Sequence, residues 1–240
     1  MILSGTSGGP EALHQLHQTV NKLFEAGELG VRSVFPGGGD AYRASIYDAA
    51  VYQGGGDGGL APLRYPVRAA HYTTGAPDWA PPGQDLTLSR DLWVSVEPAL
   101  RDACRAVPAG QRERRLAELL GLKPAGPTPA PGWVVRLTVA APQSVGPAGL
   151  AVFRPCADPE PAATRCGTTL KGPDSYAAWL GRLAVSSYRV DDSLTLTGYP
   201  WTRRGTTYDW GEAAAPDHRG VQEYVVAAGA RVRIEAVEPL

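Results

Sequence analysis

Lysine is nearly missing from this chain: Lys22, Lys123 and Lys171 stand against a total of 23 basic residues. Positive charge is therefore carried almost wholly by arginine. In a chain also rich in Gly, Pro and Ala this reads first as genomic bias, although arginine also suits planar anions. The formal net charge is −1, without the basic excess of a general nucleic-acid binder, so no nucleic-acid partner is expected. No run of eighteen apolar residues occurs, so no membrane-spanning helix is expected. Met1-Ile2-Leu3 followed by Ser-Gly-Thr-Ser-Gly-Gly-Pro does not read as a signal peptide. The three cysteines and four histidines fall in no zinc spacing, and no metal is expected. The glycine run at 54–59 lacks the Lys-Ser/Thr of a phosphate loop, and no Gly-x-Ser-x-Gly elbow appears. Acidic pairs such as Asp191-Asp192 lack calcium-loop spacing.

What the chain does have is core-forming material. Of 240 residues, 43% are hydrophobic and 20% charged, the balance of a folded domain. Leu13, Leu16, Val20, Leu23 and Phe24 predict a helix over 10–27, flanked by His14 and His17 as solvated side chains. A short strand follows over 30–36, then a weak helix over 41–52 and a flexible glycine loop. Strands are expected over 63–74, 85–89 and 91–97, with helices over 99–106 and 111–122. Four prolines within 124–132 mark a linker lying inside one domain. Beyond it come strands over 133–140 and 150–153, a helix over 176–188 and a strand over 193–197. The glycine-bounded aromatic segment 198–211 reads as a packed plug or a binding surface. These elements predict an α+β fold: a mixed, split antiparallel sheet with several short helices, β-rich in its C-terminal half. It is a single domain over 1–240, with a helical N-terminal extension over 1–60 as an option.

The run Gly220–Val237 reads as strand, glycine turn and strand. Val232, Ile234 and Ala236 alternate with Arg231, Arg233 and Glu235, a half-buried strand with a charged outer face. In the first strand Val221, Glu223 and Val225 share a face. Glu223 is the odd member, a carboxylate among β-branched residues where an acid gains nothing from packing. Pairing with Arg231 across the turn is its structural explanation; chemistry is the other.

Three segments in order carry a pattern: Arg68-Ala-Ala-His71-Tyr72-Thr73, then Leu92-Trp93-Val94-Ser95-Val96-Glu97-Pro98 leading into a helix, then Gln222-Glu223-Tyr224-Val225-Val226. Together they resemble the ADP-ribosyltransferase-like superfamily, which includes NAD-cleaving bacterial toxins. The resemblance implies a split sheet clamping NAD, with NAD as substrate and no metal. It places His71 or Arg68 on the nicotinamide-side ribose and cofactor backbone, beside Tyr72. Trp93 or Ser95 would line the nicotinamide pocket. Glu223 would accept a hydrogen bond from the ribose hydroxyl and stabilise the oxocarbenium-like transition state. Tyr199, Trp201 and Tyr208 of the aromatic segment would cover the ring. Trp93 stands where histidine-type members carry Tyr. Ser95 lacks the full Ser-Thr-Ser of arginine-type members, and Val221 stands where those members often carry a second Glu or Gln. Plain NAD hydrolysis asks for fewer partners than transfer to a protein arginine.

Cys156 and Cys166 bracket a Pro-rich loop. A disulfide there would fit export, secreted or periplasmic; the resemblance to NAD-cleaving toxins would then imply an effector or toxin with a protein target or immunity partner. Two free thiols in a cytosolic loop are the alternative. Cys104 reads as a small core residue. The rival to the enzyme is a non-catalytic secreted or periplasmic binding module that presents the cysteine-bracketed loop and the aromatic segment 198–211 and uses Glu223 structurally.

Overall fold

The computed structural model describes residues 39–51, 59–105, 107–124, 130–189, 197–212, 214 and 216–240. The elements are α1 (Gly39–Val51), β1 (Val67–Thr74), β2 (Asp85–Thr87), β3 (Leu92–Val96), α2 (Ala99–Arg105), a 3-10 turn (Ala109–Gln111) running into α3 (Arg112–Leu119), β4 (Gly132–Val139), β5 (Val152–Phe153), α4 (Asp174–Ser187), β6 (Thr206–Tyr208), β7 (Arg219–Val226) and β8 (Arg231–Pro239). The expectations over 10–27, 30–36 and 193–196, most of the glycine loop and the middle of the Pro-rich stretch lie outside the described residues. Within them the fold is α+β, as expected, with strands dominating the later half. The strand expected from 63 begins only at Val67, and the helix expected to reach 122 ends at Leu119.

Eight strands form one antiparallel sheet in the order β2-β8-β4-β1-β3-β7-β5, with β6 added to β7. Strands from both sides of the Pro-rich stretch share it, since β4 pairs with both β1 and β8. Of the two C-terminal strands, β8 alternates as its sequence predicts, with Val232 and Ile234 buried and Arg231, Arg233 and Glu235 exposed, whereas β7 buries Tyr224, Val225 and Val226 in a run. They are not a ladder pair, however. β7 pairs with β3, β5 and β6, and β8 with β4 and β2. In a flat sheet β7 and β8 would lie four spacings apart, roughly 19 Å. They are joined by the tight turn Ala227–Ala230, closed by the Ala230 N–H donating to the Ala227 carbonyl at 3.1 Å. The sheet therefore curls, and its two halves enclose Val67, Leu92, Val94, Val135, Leu137, Tyr224, Val226 and Ile234.

The halves are joined through β1 and β3 by two residue pairs, Ala69 with Val96 and Ala70 with Ser95. β1 and β4, by contrast, match over eight pairs. Beyond Ala70 and Ser95 the two strands part, and helices fill the space beside the gap. α4 carries Tyr176, Trp179, Leu180, Leu183 and Ala184 at helical spacing. Its first half packs on Phe153 and Val225 and its second on the aromatic segment. α1 lays Tyr42, Ile46, Ala49 and Ala50 against Trp201, Tyr208 and Trp210.

α3 is tied to the aromatic segment by Arg115, which donates to both oxygens of the buried Asp209 at 2.8 and 2.5 Å. Removing the cation leaves that carboxylate buried and uncompensated. Arg115→Ala is expected to lower stability by roughly 3 kcal/mol or more, against a much smaller loss when both residues are replaced by apolar ones. Denaturant unfolding of the two single variants and the double variant measures the difference.

Candidate active site

The parting of β1 and β3 creates the site. Glu97 N–H donates to the Arg68 carbonyl at 3.1 Å. Continued two residues at a time, that register would pair the Trp93 carbonyl with the amide of Tyr72. Instead the His71 ring meets the Trp93 carbonyl through Nδ1 at 2.8 Å. A carbonyl only accepts, so Nδ1 carries the proton and Nε2 keeps its lone pair. Burial lowers the imidazole pKa; the Trp93 hydrogen bond opposes this, and the charge of Arg90 adds to it. His71 is therefore a neutral imidazole at pH 7.

A cavity of about 400 Å³ opens at this split. Its floor is the sheet: Ala70, His71, Tyr72, Trp93, Val94, Ser95, Thr207 and Glu223. Leu100 of α2, Leu120, Gly121 and Leu122 after α3, Leu183, Ser186 and Ser187 of α4, and Tyr199, Pro200 and Trp201 of the aromatic segment complete the lining. None of these lining residues is Lys or Arg. Lys123 sits beside the rim, its Nζ 5.0 Å from the Tyr199 ring centroid.

Glu223 stands opposite Ser95 across the β3–β7 ladder. Its backbone N–H is held by the Gly205 carbonyl at 3.0 Å. The side chain is partly solvent-accessible, on the floor of the cavity. No hydrogen bond or ion pair reaches its carboxyl group among the described residues, and Arg231 is not its partner. Desolvation alone pushes its pKa up to about 8. Trp93 is steadied from behind by Trp179, stacked at 6.1 Å, which in turn stacks on Tyr176 at 5.9 Å. The Trp179 indole N–H donates to Asp91 at 2.9 Å. Trp201 is buried, and its indole N–H has no partner among the described residues.

Of the residues singled out in the sequence, Glu223, His71, Tyr72, Trp93, Ser95, Tyr199 and Trp201 line this one cavity. Arg68 and Tyr208 do not. Arg68 shares a sheet face with Tyr72 but lies on the paired side of the split, in a separate depression with Glu97, Pro98, Arg101 and Arg136. Tyr208 is buried against α1, its ring stacked on His218 at 4.9 Å. Thr207, Pro200 and the leucines beside α3 and α4 were not singled out. Apolar residues at helix ends look like any core, and only topology brings them here.

One wall depends on a close backbone approach. A Cβ added at Gly198 would lie 1.8 Å from the Ser187 carbonyl oxygen, the oxygen that accepts the Tyr199 N–H at 2.9 Å. Gly198→Ala must push Tyr199–Trp201 away from α4. The expected result is a loss of roughly 1–3 kcal/mol in stability together with a higher KM for any cavity ligand, checked by thermal unfolding and titration.

No family model, curated protein or solved structure matches this chain.

Proposed function

We propose that this chain cleaves the nicotinamide–ribose bond of NAD, acting as an NAD glycohydrolase or an ADP-ribosyltransferase. The observation that carries the reading is the lone desolvated carboxyl of Glu223 on the floor of an aromatic-lined cavity, with the neutral His71 imidazole beside the same space. The bond to a cationic leaving group breaks with positive charge building on the sugar. A fixed carboxylate in a water-poor site counters that charge where it develops.

In hydrolysis NAD⁺ and water give ADP-ribose, nicotinamide and a proton. Trp93, Tyr199 and Trp201 would pack the flat ring. Glu223 would hold a ribose hydroxyl and face the anomeric carbon, and His71 would accept a second sugar hydroxyl through Nε2. The cationic ring entering beside Glu223 favours its ionised form, so substrate brings the acid into its working state. The anionic pyrophosphate meets no positive side chain in the cavity among the described residues and would remain toward the rim.

The Sγ atoms of Cys156 and Cys166 lie 2.09 Å apart, the separation of a disulfide. With it goes the proposal of an exported protein, secreted or periplasmic, acting as an effector or toxin with a protein target or immunity partner. The aromatic segment gives the binding-module reading less to work with, since Trp201, Tyr208 and Trp210 are buried and Tyr199 is the exposed one. Among the described residues no helix is long and apolar enough to cross a membrane. The test is incubation of purified protein with NAD and chromatography for free nicotinamide. Release above the uncatalysed rate supports the reading, and none at high enzyme concentration ends it.

A further inference from the structure

We propose that the Cys156–Cys166 bridge is the clamp that holds Glu223 in place, working through Gly205 and Arg154, so that the site is assembled only when the bridge is closed. This rests on the reading of Glu223 as the catalytic acid.

The first path runs through Gly205. Both cysteines are buried, forming a small apolar cluster with Leu60. A Cβ added at Gly205 would lie 3.1 Å from Cys166 Sγ and 3.2 Å from Leu60 Cδ1, so the backbone there is seated directly on the bridge. Gly205 has φ +72°, a left-handed conformation that glycine adopts without penalty. Its carbonyl is the one that accepts the Glu223 N–H. A single residue thus separates the sulfur from the acid's backbone.

The second path runs through Arg154, whose side chain is fully buried. Its guanidinium donates to Gln222 Oε1 at 3.3 Å and lies 4.4 Å from the Tyr224 ring centroid. It therefore grips the two neighbours of Glu223 from the opposite face of β7. Among the described residues no carboxylate pairs with this cation. Backbone carbonyls hold it instead: Ala61 at 2.7 Å and Pro161 at 3.3 Å. Pro161 lies inside the ring that the bridge closes. A buried cation without a counterion depends on such fixed ligands. Opening the ring releases Pro161 and favours withdrawal of Arg154 toward water, taking the grip on Gln222 and Tyr224 with it.

The chemistry is thiol–disulfide exchange. On closure the two thiols give up two electrons and two protons to a disulfide oxidant, whose own S–S bond becomes two thiols; a dithiol reverses this. A protein made in a reducing compartment would hold a disassembled site and gain activity on reaching an oxidising one.

The test compares oxidised wild type, the double variant Cys156→Ser/Cys166→Ser, and Arg154→Met, which keeps the bridge. Two readouts are used: steady-state NAD kinetics, and amide hydrogen exchange at Glu223 with Val135 of β4 as reference. Expected for both variants is a drop of at least tenfold in kcat with KM within about twofold, and at least tenfold faster exchange at Glu223 with Val135 unchanged. Unchanged exchange at Glu223 overturns the proposal. So does exchange that accelerates equally at Glu223 and Val135, because the bridge would then support the whole fold rather than the acid. If oxidised wild type releases no nicotinamide, the reading of Glu223 as catalyst fails by itself, while the exchange comparison still decides whether the bridge controls its position.

Discussion

Replacing Glu223 with Gln is expected to reduce nicotinamide release by roughly a hundred- to a thousandfold, the usual cost of losing one preorganised charge-stabilising group, without lowering stability. The second half of that expectation follows from the environment. The carboxyl group has no hydrogen bond or ion pair among the described residues, so the amide breaks nothing. It also removes an acid whose ionised form is penalised by burial. Chromatographic turnover and the thermal midpoint measured on the same preparation give the two numbers. A variant that unfolds readily would show the acid to be structural, and one that keeps full turnover would remove it from the mechanism.

The larger consequence is that activity and stability should respond to pH in opposite directions. The Glu223 carboxyl titrates near 8 in the folded protein, against an ordinary 4.5. Between these values the folded state holds a proton that the unfolded state has released. The contribution of this group to stability is therefore greatest below about 4.5 and is lost as pH rises toward 8, on the order of several kcal/mol. The working form in the proposed reaction is the carboxylate, so kcat/KM should climb about tenfold per pH unit up to about 8 and then level. His71, already neutral, adds no acidic limb at neutral pH. Thermal midpoints and NAD kinetics from pH 5 to 9 test both slopes. In Glu223→Gln the fall in stability over this range should flatten. A wild-type midpoint independent of pH would mean that the carboxyl is better solvated than its surroundings suggest.

Much of this arrangement is legible in the sequence. Alternation set β7 and β8 apart as strands, and a carboxylate inside a β-branched strand drew attention because packing gives no reason for it. His71 and Trp93 came from the order of three short segments. Period-two reasoning separates Arg68 from His71, three residues away on one strand, but Arg68 shares its face with Tyr72, and what keeps it out of the cavity is its place on the paired side of the split. What escaped was long-range. A glycine turn between two alternating strands normally means a hairpin, whereas here it carries the chain from one half of a curled sheet to the other. Nothing local to Val226 or Arg231 encodes which strands their neighbours will be. The same applies to Tyr208. Its place in an aromatic run resembles that of Trp201 and both pack on α1, yet Trp201 lines the cavity and Tyr208 does not.

Ladder hydrogen bonds are what make a sheet stiff. Eight consecutive rungs between β1 and β4 weld one half together, while two rungs between β1 and β3 form the seam to the other. Between β1 and β3 that seam has few rungs, so a rocking of one half against the other would have its axis at the mouth of the cavity. A molecule bound across the gap would act as a staple, stiffening the whole body along that line.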